Sequence, residues 1–153
     1  MPFIFIFISA LTLYAIVYFI PKKLSFAEMY CTSIFAILFN ALVEVYLDLR
    51  LDLYGYFNKG PDYQMGFVLV GIFPPFSMIY LNGFPYGKKY LIKLIYIVIW
   101  TIISVIYDYL SVKSGLLYYR KWSLLYSAMC YPFILIIAVI NLKLIRRLSL
   151  IKK

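Results

Sequence analysis

Histidine is absent from this chain, cysteine occurs only twice, and acidic residues number six in 153. Without imidazole there are no HExxH metalloprotease sites, no Ser–His or Cys–His nucleophile pairs, and no His-ligated zinc or haem. Cys31 and Cys130 form no CxxC motif, so no thiolate metal or redox site is indicated. Each lies inside an apolar run and reads as a small buried side chain rather than as part of a disulfide framework. Walker A and GxGxxG loops are missing, which argues against nucleotide binding. Tyr107-Asp108 matches one half of an intramembrane aspartyl protease pair, but the GxGD partner segment is not there. Internal repeats and low-complexity segments are also missing. The expectation is a non-enzymatic protein with no cofactor and no metal.

Apolar sequence is what the chain does have. It is 65% hydrophobic and 14% charged, whereas a soluble domain is about half apolar and a quarter charged. Five runs approach the ~20 residues that cross a bilayer core, at about 3–20, 27–49, 65–81, 90–110 and 122–145. They are too long and too uniformly apolar for β-barrel strands, which alternate over about 10 residues. The expected fold is all-α, a single polytopic transmembrane bundle over residues 1–153 with lipid as its solvent. No Lys or Arg precedes the first run and no small-x-small cleavage site follows it, so it reads as a retained helix rather than a signal peptide. Pro74-Pro75 and Pro132 predict kinks in the third and fifth helices, because proline removes a donor and crowds the previous turn.

The net charge of +9 follows the membrane pattern and gives no continuous basic face for nucleic acid. Lys22, Lys23, Lys88, Lys89, Lys93, Lys143, Arg146, Arg147, Lys152 and Lys153 fall on one side of a five-span topology. Arg50, Lys59, Lys113, Arg120 and Lys121 fall on the other. Ten against five predicts the N-terminus outside and the C-terminus in the cytoplasm of a cell membrane. A re-entrant third segment would reverse that sign. Of the acids, only Glu28 falls on the inner side. Tyr54, Tyr56, Tyr118, Tyr119 and Trp122 flank the outer helix ends, where an aromatic belt is expected. The basic tail suits anionic lipid headgroups, and a plain stop-transfer role is the simpler reading.

The second run carries the one polar constellation. Asn40, Glu44, Asp48 and Asp52 recur at i+4, so on a regular α-helix they drift only ~40° per step and form one stripe. The fourth helix echoes it with Thr101, Ser104 and Asp108, and the fifth with Ser123 and Ser127. Between Met29 and Leu49 ten Leu, Ile, Phe and Val residues contribute roughly 3–6 kcal/mol to insertion, and one ionised residue costs about 2.5–3.5 kcal/mol. The second helix is therefore marginal alone and should turn its acids into the bundle.

Two readings of Asn40, Glu44, Asp48, Asp52 and Asp108 follow. In the first they bind helices together, with Arg120, Lys121 or hydroxyls of the fourth and fifth helices as partners, at about 0.6–2 kcal/mol each. In the second they form an ion or proton site of a small channel or transporter. Glu44 is then the stronger candidate, since a carboxyl group withdrawn from water favours its protonated form. Asp48 and Asp52 should lie nearer water. Five short helices enclose little space alone, which points to a homo-oligomer or another membrane protein as partner.

The run Asn40-Ala-Leu-Val-Glu44-Val-Tyr-Leu-Asp48-Leu-Arg-Leu-Asp52-Leu-Tyr-Gly-Tyr-Phe57 resembles the signature of a small family of membrane proteins of spore-forming Firmicutes (Bacilli and Clostridia). Tyr80-Leu-Asn82-Gly-Phe-Pro85, Tyr107-Asp108, Gly115, Trp122, Tyr126-Ser127 and Tyr131-Pro132 are similar too. The resemblance covers about residues 28–147. An acid nearer position 40, and Glu rather than Asp at 108, would fit the family pattern better. It implies a bacterial plasma-membrane protein of about five helices and carries over no activity.

Overall fold

The chain was analysed as a computed structural model, which describes residues 2–57 and 63–150. Lys59, Asp62, Lys152 and Lys153, which enter the charge comparison above, lie outside the described residues. The elements in chain order are α1 (Pro2–Phe19), α2 (Phe26–Glu44) with a π-helical continuation (Val45–Arg50), β1 (Tyr54–Tyr56), α3 (Met65–Gly71), α4 (Phe73–Gly83), α5 (Tyr90–Ser114), β2 (Leu117–Tyr119) and α6 (Leu124–Leu150). Five helices are long and apolar enough to span a membrane, with α3 and α4 together making the third, Met65–Gly83. The chain is thus an all-α bundle of membrane-spanning type, with one small ribbon added.

Most large apolar side chains on α1 and α5 face outward, Phe7 and Ile102 among them. In water that surface would be prohibitive; in lipid it is the expected exterior. The interior is built on α4, which packs against α2 and α1, and on α6, which packs against α5 and α2. Tyr80, Leu81, Phe84, Leu135, Val139 and Leu142 form one buried cluster. Ile6, Val68, Ile72 and Leu116 form a second.

The third span breaks where the prolines require it. Ile72 leaves ideal helical geometry at φ −111°, and Pro74 and Pro75 enter the first turn of α4 rather than the middle of a continuous helix. There their missing N–H groups cost nothing, because first-turn donors have no partner inside the helix anyway. Hydrogen bonds Ile72 N to Val68 O (3.0 Å) and Phe76 N to Ile72 O (3.1 Å) bridge the break. Pro132 stays inside α6.

The basic ends of the spans are pinned. Ser25 caps α2 in a reciprocal box with Glu28, satisfying two otherwise orphaned donors. The Glu28 carboxylate also accepts from Arg146 at 2.6 Å, and that guanidinium lies 4.6 Å from the Tyr86 ring centre. Asn82 donates to Pro21 O at 2.9 Å and accepts from Lys23 N at 2.6 Å. Burial holds the Tyr86 phenol up at about 12, against the opposing pull of Arg146.

Four sequence expectations need correction. The last helix starts at Leu124 and runs to Leu150, beyond the expected 122–145, so Arg146 and Arg147 stand on the helix. There Arg146 pairs with Glu28 and lies over the Tyr86 ring. Cys31 is exposed, with Cys130 half-buried and both thiols free; α2 presents that flank outward. The α-geometry of α2 ends at Glu44 and does not continue to 49. Finally, short segments of the α2–α3 and α5–α6 connections form a two-stranded ribbon that helical periodicity gave no sign of.

Candidate functional site

The site begins where α2 changes pitch. From Val45 the backbone adopts π-helical turns, seen in Leu51 N bonding to Tyr46 O at 3.0 Å. Wider turns advance fewer degrees per residue, so the i+4 stripe loses register beyond Glu44. Asp52 then takes φ 52°, a left-handed conformation that Asp tolerates better than most residues. The chain turns back into β1.

The ribbon is antiparallel, pairing Tyr54 with Tyr119, Gly55 with Tyr118 and Tyr56 with Leu117. Gly115, at φ 77°, ends α5 in the left-handed region and delivers β2 to its partner. Gly55 is required for a different reason. A Cβ there would collide with the Tyr118 phenol.

Tyrosines from this ribbon reach into the bundle. Tyr56 Oη donates to Glu44 Oε1 at 3.3 Å, and Tyr54 interacts with the same carboxyl group. Tyr119 Oη donates to Asp108 Oδ2 at 3.3 Å. From α6, Tyr131 Oη donates to Asp108 Oδ1 at 2.6 Å. Ser127 stands beside Asp108 and accepts the Trp122 indole N–H at 2.9 Å. Burial raises the Tyr54 and Tyr56 phenols above their ordinary range, and the negative charge of Glu44 adds to it. Burial and then Asp108 push Tyr119 up to about 12. These three phenols therefore stay protonated and remain donors across the ordinary pH range.

Glu44 is only 5% exposed, and its Oε2 is buried without a hydrogen-bond partner. Among the described residues the ion pairs are Arg120–Asp52 and Arg146–Glu28; no basic side chain pairs with Glu44 or Asp108. Two adjoining cavities meet at these acids. The smaller, about 80 Å³, has Glu44, Tyr54, Tyr119 and Trp122 in its wall. The larger, about 130 Å³, is mostly apolar, with Phe35, Phe39, Phe76 and Tyr107 in its wall. Asn40, Tyr56, Asp108 and Tyr131 line both.

The structure thus gathers Asn40, Glu44 and Asp108 around one interior space, while Asp52 stands apart from it. Asn40 is tied down, its amide donating to Ala36 O at 2.7 Å. Asp48 keeps to the buried side, at 7% exposure, rather than lying near water as expected. Arg120 supplies the positive charge that acts on it. Asp52 lies past the helix and pairs with Arg120, with its side chain 56% exposed. Arg120 is a real charge partner, but of Asp52. Lys121 is exposed, and its backbone N–H bonds to Leu53 O at 2.9 Å. Thr101 and Ser104 turn back to Ile97 O and Trp100 O, each at 2.9 Å.

Tyr54, Tyr56 and Tyr119 were read from the sequence as interfacial anchors, and this is corrected: their hydroxyls serve the buried acids. Tyr131 was missed as a site residue. The available signal was the excess of tyrosine over other hydroxyl donors opposite each acid.

These features define an integral helical membrane protein with an internal carboxyl–phenol cluster. Among the described residues no group of three His, Cys, Asp or Glu side chains is placed to hold a metal ion. Comparison of the chain with protein-family models, curated proteins and solved structures finds no match.

Proposed function

We propose that the chain is a multi-pass membrane protein whose interior site, centred on Glu44, takes up a proton or a cation. One observation carries this reading: Glu44 is only 5% exposed, one of its carboxyl oxygens is unpartnered, and among the described residues no basic side chain pairs with it. An ionised carboxylate in such a place is costly unless a positive charge accompanies it. With no basic side chain paired to it, that charge is a proton or an ion from solution. A purely structural clamp explains Asp108, whose oxygens each accept a phenol, better than it explains Glu44.

Flux through proteoliposomes tests this reading. Wild-type protein should dissipate an imposed proton or alkali-cation gradient, and Glu44→Gln should abolish that flux at normal expression. Flux that survives Glu44→Gln, or its absence from both proteins alongside reduced stability of the variant, would favour the structural clamp.

The remainder of the proposal is topological and familial. The charge asymmetry supports an outer N-terminus and a cytoplasmic C-terminus in a bacterial plasma membrane, with the ribbon and the acid cluster toward the outer face. Labelling a cysteine placed near the C-terminus from outside intact cells would overturn that orientation. The resemblance to the Firmicutes family rests on the residues quoted for it and carries over no activity. A second copy or another membrane protein completing the permeation path belongs to the same proposal.

A further inference from the structure

The acid-lined cavity and the aromatic chamber adjoin, sharing Asn40, Tyr56, Asp108 and Tyr131 in their walls. On one side are Glu44 and Asp108, with the Glu44 Oε2 buried and unpartnered. On the other are the rings of Phe35, Phe39, Phe76 and Tyr107. A bare alkali ion uses only the first end. It wants several oxygen ligands at once, whereas the chamber wall is mostly apolar, with the Ser77, Ser104 and Ser111 hydroxyls spread among Phe, Ile, Leu and Ala side chains. An organic ammonium ion uses both, since its charge is attracted to carboxylate and to ring faces alike while its alkyl groups are at home among aromatic side chains. The larger cavity, about 130 Å³, is close to the ~150 Å³ apolar cavity known to accept benzene. That space suits a cation of about five or six heavy atoms.

We infer that the joined cavities form a binding site for a small alkylammonium ion, its charge toward Glu44 and Asp108 and its alkyl groups in the aromatic chamber. The inference rests on the reading of Glu44 as a cation site and names the class of cation. Asn40, lining both cavities, holds the junction between the two ends. Ala36, buried in the wall of the larger cavity, keeps that chamber open.

The test is calorimetric titration of the full chain in lipid nanodiscs with tetramethylammonium chloride, against sodium chloride at equal ionic strength. Saturable binding of tetramethylammonium is expected, with sodium at least tenfold weaker. Glu44→Gln should weaken the tetramethylammonium affinity at least tenfold. Ala36→Leu, which fills the chamber and leaves both carboxyl groups in place, should do the same. Helical circular dichroism identifies a variant that fails to fold, and the wild-type preference over sodium decides the matter without either variant. No saturable binding, equal affinity for sodium, or full affinity in both folded variants overturns the inference. If tetramethylammonium does not bind while Glu44-dependent proton flux persists, the ligand class is wrong and the Glu44 site stands.

Discussion

Tyr131 on α6 donates its phenol to the Asp108 carboxyl group on α5 at 2.6 Å, and this bond crosses the α5–α6 interface. Asp108 has a second phenol, Tyr119, at 3.3 Å on its other oxygen. Tyr131→Phe removes the shorter of the two and leaves the ring. Hydrogen bonds to acids are worth about 1.5–3 kcal/mol in water-soluble proteins, and interhelical ones in membranes about 0.6–2 kcal/mol. The expected loss is about 1 kcal/mol, read as a lowered unfolding midpoint in mild detergent. Tyr119→Phe should cost less.

The Glu28 side chain has two roles that substitution can separate. Glu28→Gln keeps a capping partner for Ser25 but loses the charge that faces Arg146. Glu28→Ala loses both. The alanine variant should be less stable than the glutamine variant by about 0.5–2 kcal/mol, the ordinary worth of a helix cap. Chemical denaturation of the two purified variants measures the difference.

Arg120 and Asp52 form an ion pair at the edge of the bundle, with the Asp52 side chain 56% exposed. Such pairs contribute about 0–1 kcal/mol and are screened by salt. Asp52→Asn should therefore shift the unfolding midpoint little, and the shift should shrink further as salt is raised. The contrast is with Glu44→Gln, which alters a residue only 5% exposed.

Gly55 and Gly66 should respond differently to alanine. Gly55→Ala drives a Cβ into the Tyr118 phenol, while Gly66→Ala meets no atom within 4 Å. Gly55→Ala should weaken the ribbon and lower the thermal midpoint. Gly66→Ala should leave it unchanged or raise it by up to about 1 kcal/mol, the helix preference of Ala over Gly. Thermal unfolding of both variants checks the pair.

The spans were legible in the sequence because lipid demands length and apolarity, and both are local properties. The break at Pro74-Pro75 was legible for a local reason as well, although its exact form, prolines seated in the first turn of α4, was not. The acid cluster was half legible. Spacing put Asn40 and Glu44 on one face correctly, since α-geometry holds through Glu44. It carried the stripe too far, to Asp52, since nothing in residues 45–50 announces π-turns; Asp52 is exposed, as its expected place near water requires, while Asp48 is buried where water was expected. The ribbon was not legible because its strands are three residues each and lie sixty residues apart. They pair only after the Asp52 and Gly115 turns bring them together. With the ribbon unseen, Tyr54, Tyr56 and Tyr119 looked like headgroup anchors when they are donors to buried acids.

Isotope-edited infrared spectroscopy of the Glu44 carboxyl group in lipid tests the central claim most directly, with Glu44→Gln as the subtraction. The account predicts either a protonated C=O band that vanishes in the variant or a carboxylate band that moves on cation titration. A Glu44 carboxylate band that is indifferent to both proton and cation concentration would contradict it.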